Sequence, residues 1–183
     1  MFFNVSTLLS EPVGTIRTYA VEDEQARVPE EDYQRSVRGD LRLLRTTRGV
    51  LVHATLTVRP PLECASCLAP LERDLELDFD EEFVTETDPV TGKPLEDIGP
   101  DDFLIRDHQH LDLSEAVRQY EQSTLPLRPI CRPECAGLCP QCGQNLNEQA
   151  CGCCKDKVDG RWSGLAGLAE RLRTEDRDGS AEA

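Results

Sequence analysis

The stretch GVLVHATLTV, residues 49–58, places Val50, Val52, Ala54, Leu56 and Val58 at every second position. A period of two sends successive side chains to opposite sides of a pleated strand, so these five share one face and His53 belongs to the other. Pro60-Pro61 ends the run, because proline has no N–H to give to a ladder. Upstream, Leu41 and Leu43 alternate with Arg42, and Thr46-Thr47-Arg48-Gly49 reads as a hairpin turn. Downstream, Leu75, Leu77 and Phe79 alternate with Glu76 and Asp78, a returning strand that extends towards Phe83. Between the two strands sits Cys64-Ala65-Ser66-Cys67, so a pair of thiols is expected at the tip of a β-hairpin.

Outward from this centre the signals weaken. Phe2–Leu9 reads as a strand, Pro12-Val13-Gly14 as a turn, Thr15–Val21 as a short β-prone run, and the residues after it as a charged loop. The acidic, turn-rich segment from about 85 to 102 is expected to be an exposed loop. Asp112-Leu113-Ser114-Glu115 has the D-x-x-E form of a capping box. Leu113, Ala116, Val117 and Tyr120 follow at helical spacing, and Pro126 closes the helix. A second helix is expected from Arg161 to about Leu172, capped by Asp159, with Trp162, Leu165, Leu168, Ala169 and Leu172 along its apolar stripe. The fold expected is α+β: an antiparallel β-sheet or partly open barrel with a packed helix. Residues 1–126 would form this β-rich core. Residues 127–172 would form a cysteine-rich zinc-binding module with the terminal helix, and residues 173–183 a polar, disordered tail.

The chain has 183 residues, a net charge of −15 and nine cysteines. It contains no apolar run of membrane-spanning length. Its first residues lack a basic leader and run into acidic sequence, so a cytoplasmic location is expected. In a reducing compartment, closely spaced thiols ligate metal more readily than they bridge, and an odd number does not make a complete disulfide set. Two residues between thiolates let one tight turn aim both sulfurs at an ion about 2.3 Å away. Cys64 and Cys67 form one such pair, and Cys131-Arg132-Pro133-Glu134-Cys135 can complete its tetrahedron. Cys139-Pro140-Gln141-Cys142-Gly143 is a zinc knuckle, in which glycine relieves the turn. Cys151 and Cys153 can complete a second site, leaving Cys154 over. The rival arrangement is one site from Cys131, Cys135, Cys139 and Cys142. The metal read from these ligands is zinc, one or two structural ions.

Catalytic zinc keeps an open position and usually employs histidine or carboxylate. The three histidines, His53, His108 and His110, complete no such pattern. There is also no phosphate-binding glycine loop, G-x-S-x-G elbow or H-E-x-x-H, so no enzyme is expected. Charge is unevenly placed: six arginines against Asp40 alone between Arg35 and Arg59, but nine acids against Lys93 between Asp80 and Asp102. Arg38, Arg42, Arg45 and Arg48 are therefore the candidates for phosphate contacts. Arg128, Arg132, Lys155, Lys157 and Arg161 are a second basic group.

The order of these motifs resembles a known family. A strand leads to Cys64-Ala-Ser-Cys67-Leu68, then an acidic stretch, a D-L helix and Leu125-Pro-Leu-Arg-Pro-Ile-Cys131. The run Gly137-Leu-Cys-Pro-Gln-Cys-Gly-Gln-Asn-Leu-Asn147 and then Val158-Asp-Gly-Arg-Trp162 complete it. This looks like the YceD family, the large ribosomal RNA subunit accumulation proteins, over about residues 1–172. The resemblance implies a non-enzymatic role in accumulation or processing of 23S rRNA and in large-subunit assembly. It also favours grouping Cys64 and Cys67 with Cys131 and Cys135. The partners implied are large-subunit ribosomal RNA or a basic ribosomal protein, with no membrane and no small-molecule substrate. A redox-switched zinc chaperone is the alternative, and a metal-dependent hydrolase a third reading. The long acidic loop and the C-x-C-C ending depart from the family pattern.

Overall fold

The computed structural model describes residues 1–29, 32–88, 91–95, 98–100, 102–105, 109–153, 161 and 165. Contacts divide the chain into two units, Met1–Cys135 and Ala136–Ala183. The expected cap at Asp159 and most of the expected terminal helix lie outside the described residues. So do Cys154, His108, Lys155, Lys157 and the polar tail.

In the first unit, β2 (Ile16–Val28), β3 (Tyr33–Arg45), β4 (Gly49–Val58), β7 (Leu75–Thr85) and β8 (Phe103–Ile105) form one sheet in that spatial order. Its pairs are antiparallel except β7 with β8, which is parallel. The alternation that defines β4 is met in full: Val50, Val52, Ala54, Leu56 and Val58 are all buried. Cross-strand partners carry the same face to Leu41 and Leu43 on β3 and to Leu77, Phe79 and Phe83 on β7. The helix α2 (Ser114–Thr124) touches both β2 and β7, although two strands separate them. The sheet therefore curls round the helix as a half-barrel. Burying these faces at about 25 cal/mol per Å² supplies the main drive for the fold.

Helix α2 buries Ala116, Val117 and Glu121, and Tyr120 stacks on Phe79 with centroids 4.2 Å apart. Leu125, which precedes Pro126, is extended with ψ 132°, the geometry that proline imposes on its predecessor. The expected capping box does not close: Leu113 holds the cap position, and Asp112 Oδ1 accepts the Ser114 N–H at 2.9 Å.

Two further expectations are corrected. Phe2–Leu9 is not one strand. β1 (Phe2–Asn4) pairs with β9 (His110–Asp112), and Ser6–Leu9 turns into the short helix α1. Asn4 Oδ1 accepts from both the Ser6 N–H and its hydroxyl, which starts that turn, and the adjacent Leu8 and Leu9 are then both buried. The segment after Val21 is not a charged loop but the rest of β2. Its charges suit an edge strand, and a bulge at Glu22-Asp23 bends it, with Asp23 at φ 53°. No helix among the described residues is long and apolar enough to cross a membrane.

Glu121 is 3% exposed and accepts from the Tyr33 hydroxyl at 3.0 Å and Arg35 Nε at 3.2 Å, tying helix to sheet. Burial, reinforced by this carboxylate, raises the Tyr33 phenol above its ordinary range. The hydrogen bond from Tyr120 to Glu81 at 2.6 Å, with burial, pushes Tyr120 up to about 12. Both groups keep their protons longer in the fold than in the unfolded chain. Their contribution to stability is thus full below about pH 10, the ordinary phenol value, and is lost as pH rises from there through the raised values of the fold. Ultraviolet phenolate absorbance is expected to show two tyrosines titrating late. Tyr120→Phe should remove the step near pH 12.

Candidate metal centres

The first C-x-x-C pair lies between β4 and β7, in the connection that carries β5 (Leu62–Glu63) and β6 (Pro70–Leu71), themselves paired. The Cys64 N–H donates to Ala69 O at 2.8 Å, and the Leu68 N–H to Cys64 O at 2.9 Å. The knuckle at Cys139 repeats both bonds. Cys139 N–H donates to Gln144 O at 2.8 Å and Gly143 N–H to Cys139 O at 2.9 Å. The residue after the second cysteine is left-handed in each, with φ 59° at Leu68 and 74° at Gly143. The Cys64–Leu68 turn is thus a knuckle of the same form, built with leucine where glycine is the unstrained choice.

The segment after α2 returns to the first knuckle. Ala65 N–H donates to Pro129 O at 2.7 Å, which sets Cys131 and Cys135 opposite the hairpin tip. Cys64, Cys67, Cys131 and Cys135 form one tetrad, and Cys139, Cys142, Cys151 and Cys153 another, each with its four sulfurs within 4.8 Å of one another. Cys131 and Cys135 do not group with Cys139 and Cys142. The Cys64–Cys135 and Cys67–Cys131 sulfurs are 3.8 Å apart. That is too long for a disulfide, whose sulfurs lie about 2.05 Å apart. It is the edge of a tetrahedron with arms of about 2.3 Å, the metal–thiolate distance.

The electrostatics ask for a cation. Backbone N–H groups, that of Ser66 foremost, lower the Cys64 thiol to about 6, and those of Cys142 and Gln141 lower Cys139 likewise to about 6. The sulfurs facing them go the other way. Cys131 is raised to about 12, first by its contact with Cys135, and Cys153 to about 12, first by Cys142. One thiolate per site is thus supported by the protein itself, while further negative charge at that range needs a positive ion to offset it. Cys64 and Cys67 are buried, whereas Cys131 and Cys142 are exposed. Around the second site, Asn147 Oδ1 accepts the Ala136 N–H at 3.0 Å and Asn145 Oδ1 the Asn147 N–H at 3.0 Å. Asn145 and Asn147 of the G-L-C-P-Q-C-G-Q-N-L-N run are therefore braces of that loop.

The arginines fare differently. Arg45 is 1% exposed, and its guanidinium donates to the carbonyls of Leu9, Thr46 and Gly49. It is a buried brace and not a surface phosphate contact, because its inward position on β3 commits it to the core. Arg38 pairs with Asp74 at 2.7 Å, joined there by Arg59, and Arg48 pairs with Asp102 at 3.3 Å. Arg42 is exposed on the outer face of β3. His53 pairs with Asp80 at 2.8 Å, and His110 lies on β9, so neither enters a tetrad.

Residues 52–169 match the family described as large ribosomal RNA subunit accumulation protein YceD. Uncharacterized proteins of Mycobacterium tuberculosis and Mycobacterium bovis are each 33% identical to the chain over 126 residues, 69% of this chain and 58% of theirs. One of Mycobacterium leprae is 26% identical over 151 residues, 77% of this chain and 64% of its own. The chain thus spans less than two thirds of the length of these relatives. No solved structure matches it.

Proposed function

We propose, from the premise that this chain belongs to the YceD family of large ribosomal RNA subunit accumulation proteins, that it is a non-enzymatic ribosome-biogenesis factor held in shape by structural zinc. In this reading it acts in the cytoplasm, where thiols stay reduced, and promotes accumulation of 23S rRNA and assembly of the large subunit. Its partner there is large-subunit rRNA or a basic ribosomal protein. The observation that carries the reading is that all eight sulfurs of the two tetrads fall within the stretch matching the family. Zinc is the cation assigned to both. Four thiolates at tetrahedral spacing suit it, and a full set of protein ligands leaves no position for a substrate, which supports a structural role over a catalytic one.

Deleting the protein from cells is expected to lower 23S relative to 16S rRNA and to shrink the 50S peak on a sucrose gradient, with recovery on re-expression. Unchanged 23S and 50S levels in the deletion strain would end this reading.

A further inference from the structure

The outer face of the half-barrel breaks the rule that solvent-facing strand positions are polar. Register places Ile16 beside Leu44, and Leu44 beside Leu51, three aliphatic residues in one row across β2, β3 and β4. Ile16 is 44% exposed and the two leucines are half-buried. They continue into a shallow cavity of about 290 Å³ lined by Arg42, Leu44, Leu51, His53 and Asp80. Core residues and α2 occupy the concave side, so this row owes nothing to the packing already described.

The same face ends in a column of acids. On β7 four of the five positions on this side of the strand are carboxylates, Glu76, Asp78, Asp80 and Glu82, the fifth being the buried Val84, and Glu82 lies directly beside Leu51. Asp80 is met by His53, and Glu82 accepts from the Thr46 hydroxyl at 2.7 Å. Glu76 and Asp78 make no ion pair among the described residues. An aliphatic row alone fits many ligands, and a column of acids alone fits none in particular. Side by side on one strand ladder they select an apolar surface edged with positive charge.

We infer that this outer sheet face is a docking surface for an amphipathic, lysine- and arginine-rich segment of a large-subunit ribosomal protein. Its apolar side would cover Ile16, Leu44 and Leu51, and its cations would meet the β7 carboxylates. Charge complementarity argues for the protein over RNA. Phosphates would face the acid column on a chain of net charge −15, and the ring this face offers among the described residues, the His53 imidazole, is already engaged by Asp80 at 2.8 Å. Arg38 and Arg48 are already occupied by Asp74 and Asp102, and Arg42, exposed on this face, lines the same cavity as Asp80. The identity of the partner rests on the ribosomal reading above; the surface does not.

The test uses the full chain immobilised and offered two probes: total protein extracted from 50S subunits, and protein-free 23S RNA. Retention of basic 50S proteins is expected, identified by mass spectrometry and crosslinked to β4 and β7. Glu76→Lys with Asp78→Lys is expected to weaken that retention about tenfold, by loss of attraction and added repulsion. Leu51→Ser should weaken it through the apolar row, and both variants should melt as the wild type does. Retention unchanged in both variants, or RNA retained in place of protein, overturns the assignment. That failure, beside a shrunken 50S peak in the deletion strain, would leave the family role standing. Face-dependent binding beside a normal 50S peak would do the reverse.

Discussion

Replacing Cys64 with serine is expected to cost one equivalent of zinc from a total of two and to lower the melting temperature on the order of 10 °C. The reason is topological. The contacts Cys64–Cys135 and Cys67–Cys131 join residues 71 and 64 apart in sequence, across β7, β8, β9 and α2. A cross-link closing a loop of that size is worth on the order of 4 kcal/mol in chain entropy, and a unit this large converts about 1 kcal/mol into a few degrees of melting temperature. Cys142→Ser should behave otherwise. Its tetrad closes only the stretch from Cys139 to Cys153, in which Cys139 is the one buried residue and all fifteen are described. That variant is expected to lose one equivalent and the order of its own loop, while the main transition stays within a few degrees, because Met1–Cys135 keeps its own apolar core. Elemental analysis and calorimetry on the two variants decide the matter. Full metal content and an unmoved transition in Cys64→Ser would remove the structural role assigned to the first site.

The contrast between the two sites also marks what was legible in the residues. Two-residue spacing between thiols is a local geometric signal, so both knuckles could be read directly. Which distant pair completes each is tertiary, and it turns on contacts such as Ala65 N–H to Pro129 O that no spacing encodes. The central strands were legible for a similar reason: β4 and β7 have one wet and one dry face, and alternation records that. It failed where burial does not alternate. Leu8 and Leu9 are both inside because a helical turn puts neighbours on overlapping faces, and β2 hides its strand character under charges that an edge tolerates. Arg45 and Glu121 were the least accessible. Charged residues read as solvated until a structure shows three carbonyls around one, and a tyrosine and an arginine on the other. The left-handed backbone at Leu68 carried no signal in the residues, since the glycine that marks this turn at Gly143 is replaced there by leucine.

Gly39→Ala is expected to destabilise the fold by about 4 kcal/mol, enough to move the melting temperature on the order of 10 °C. Gly39 has φ 142°, outside the range L residues adopt readily. It pairs with Val21 on one side, next to the β2 bulge, and with Leu56 on the other. A Cβ there would stand 2.2 Å from Thr55 O and 2.9 Å from Leu56 Cα. Both atoms are backbone of the central strand, so no side chain can swing away. Relief means pulling β3 from β4 beside the β2 bulge. Gly14→Ala separates the two contributions. Gly14 also has a positive φ, 95°, but nothing lies within 4 Å of where its Cβ would stand, so that variant should show only the backbone strain, about 1 to 2 kcal/mol. Denaturant midpoints for the pair give the difference directly. If Gly39→Ala cost no more than Gly14→Ala, the close approach of β3 to β4 would not be what makes glycine necessary at this position.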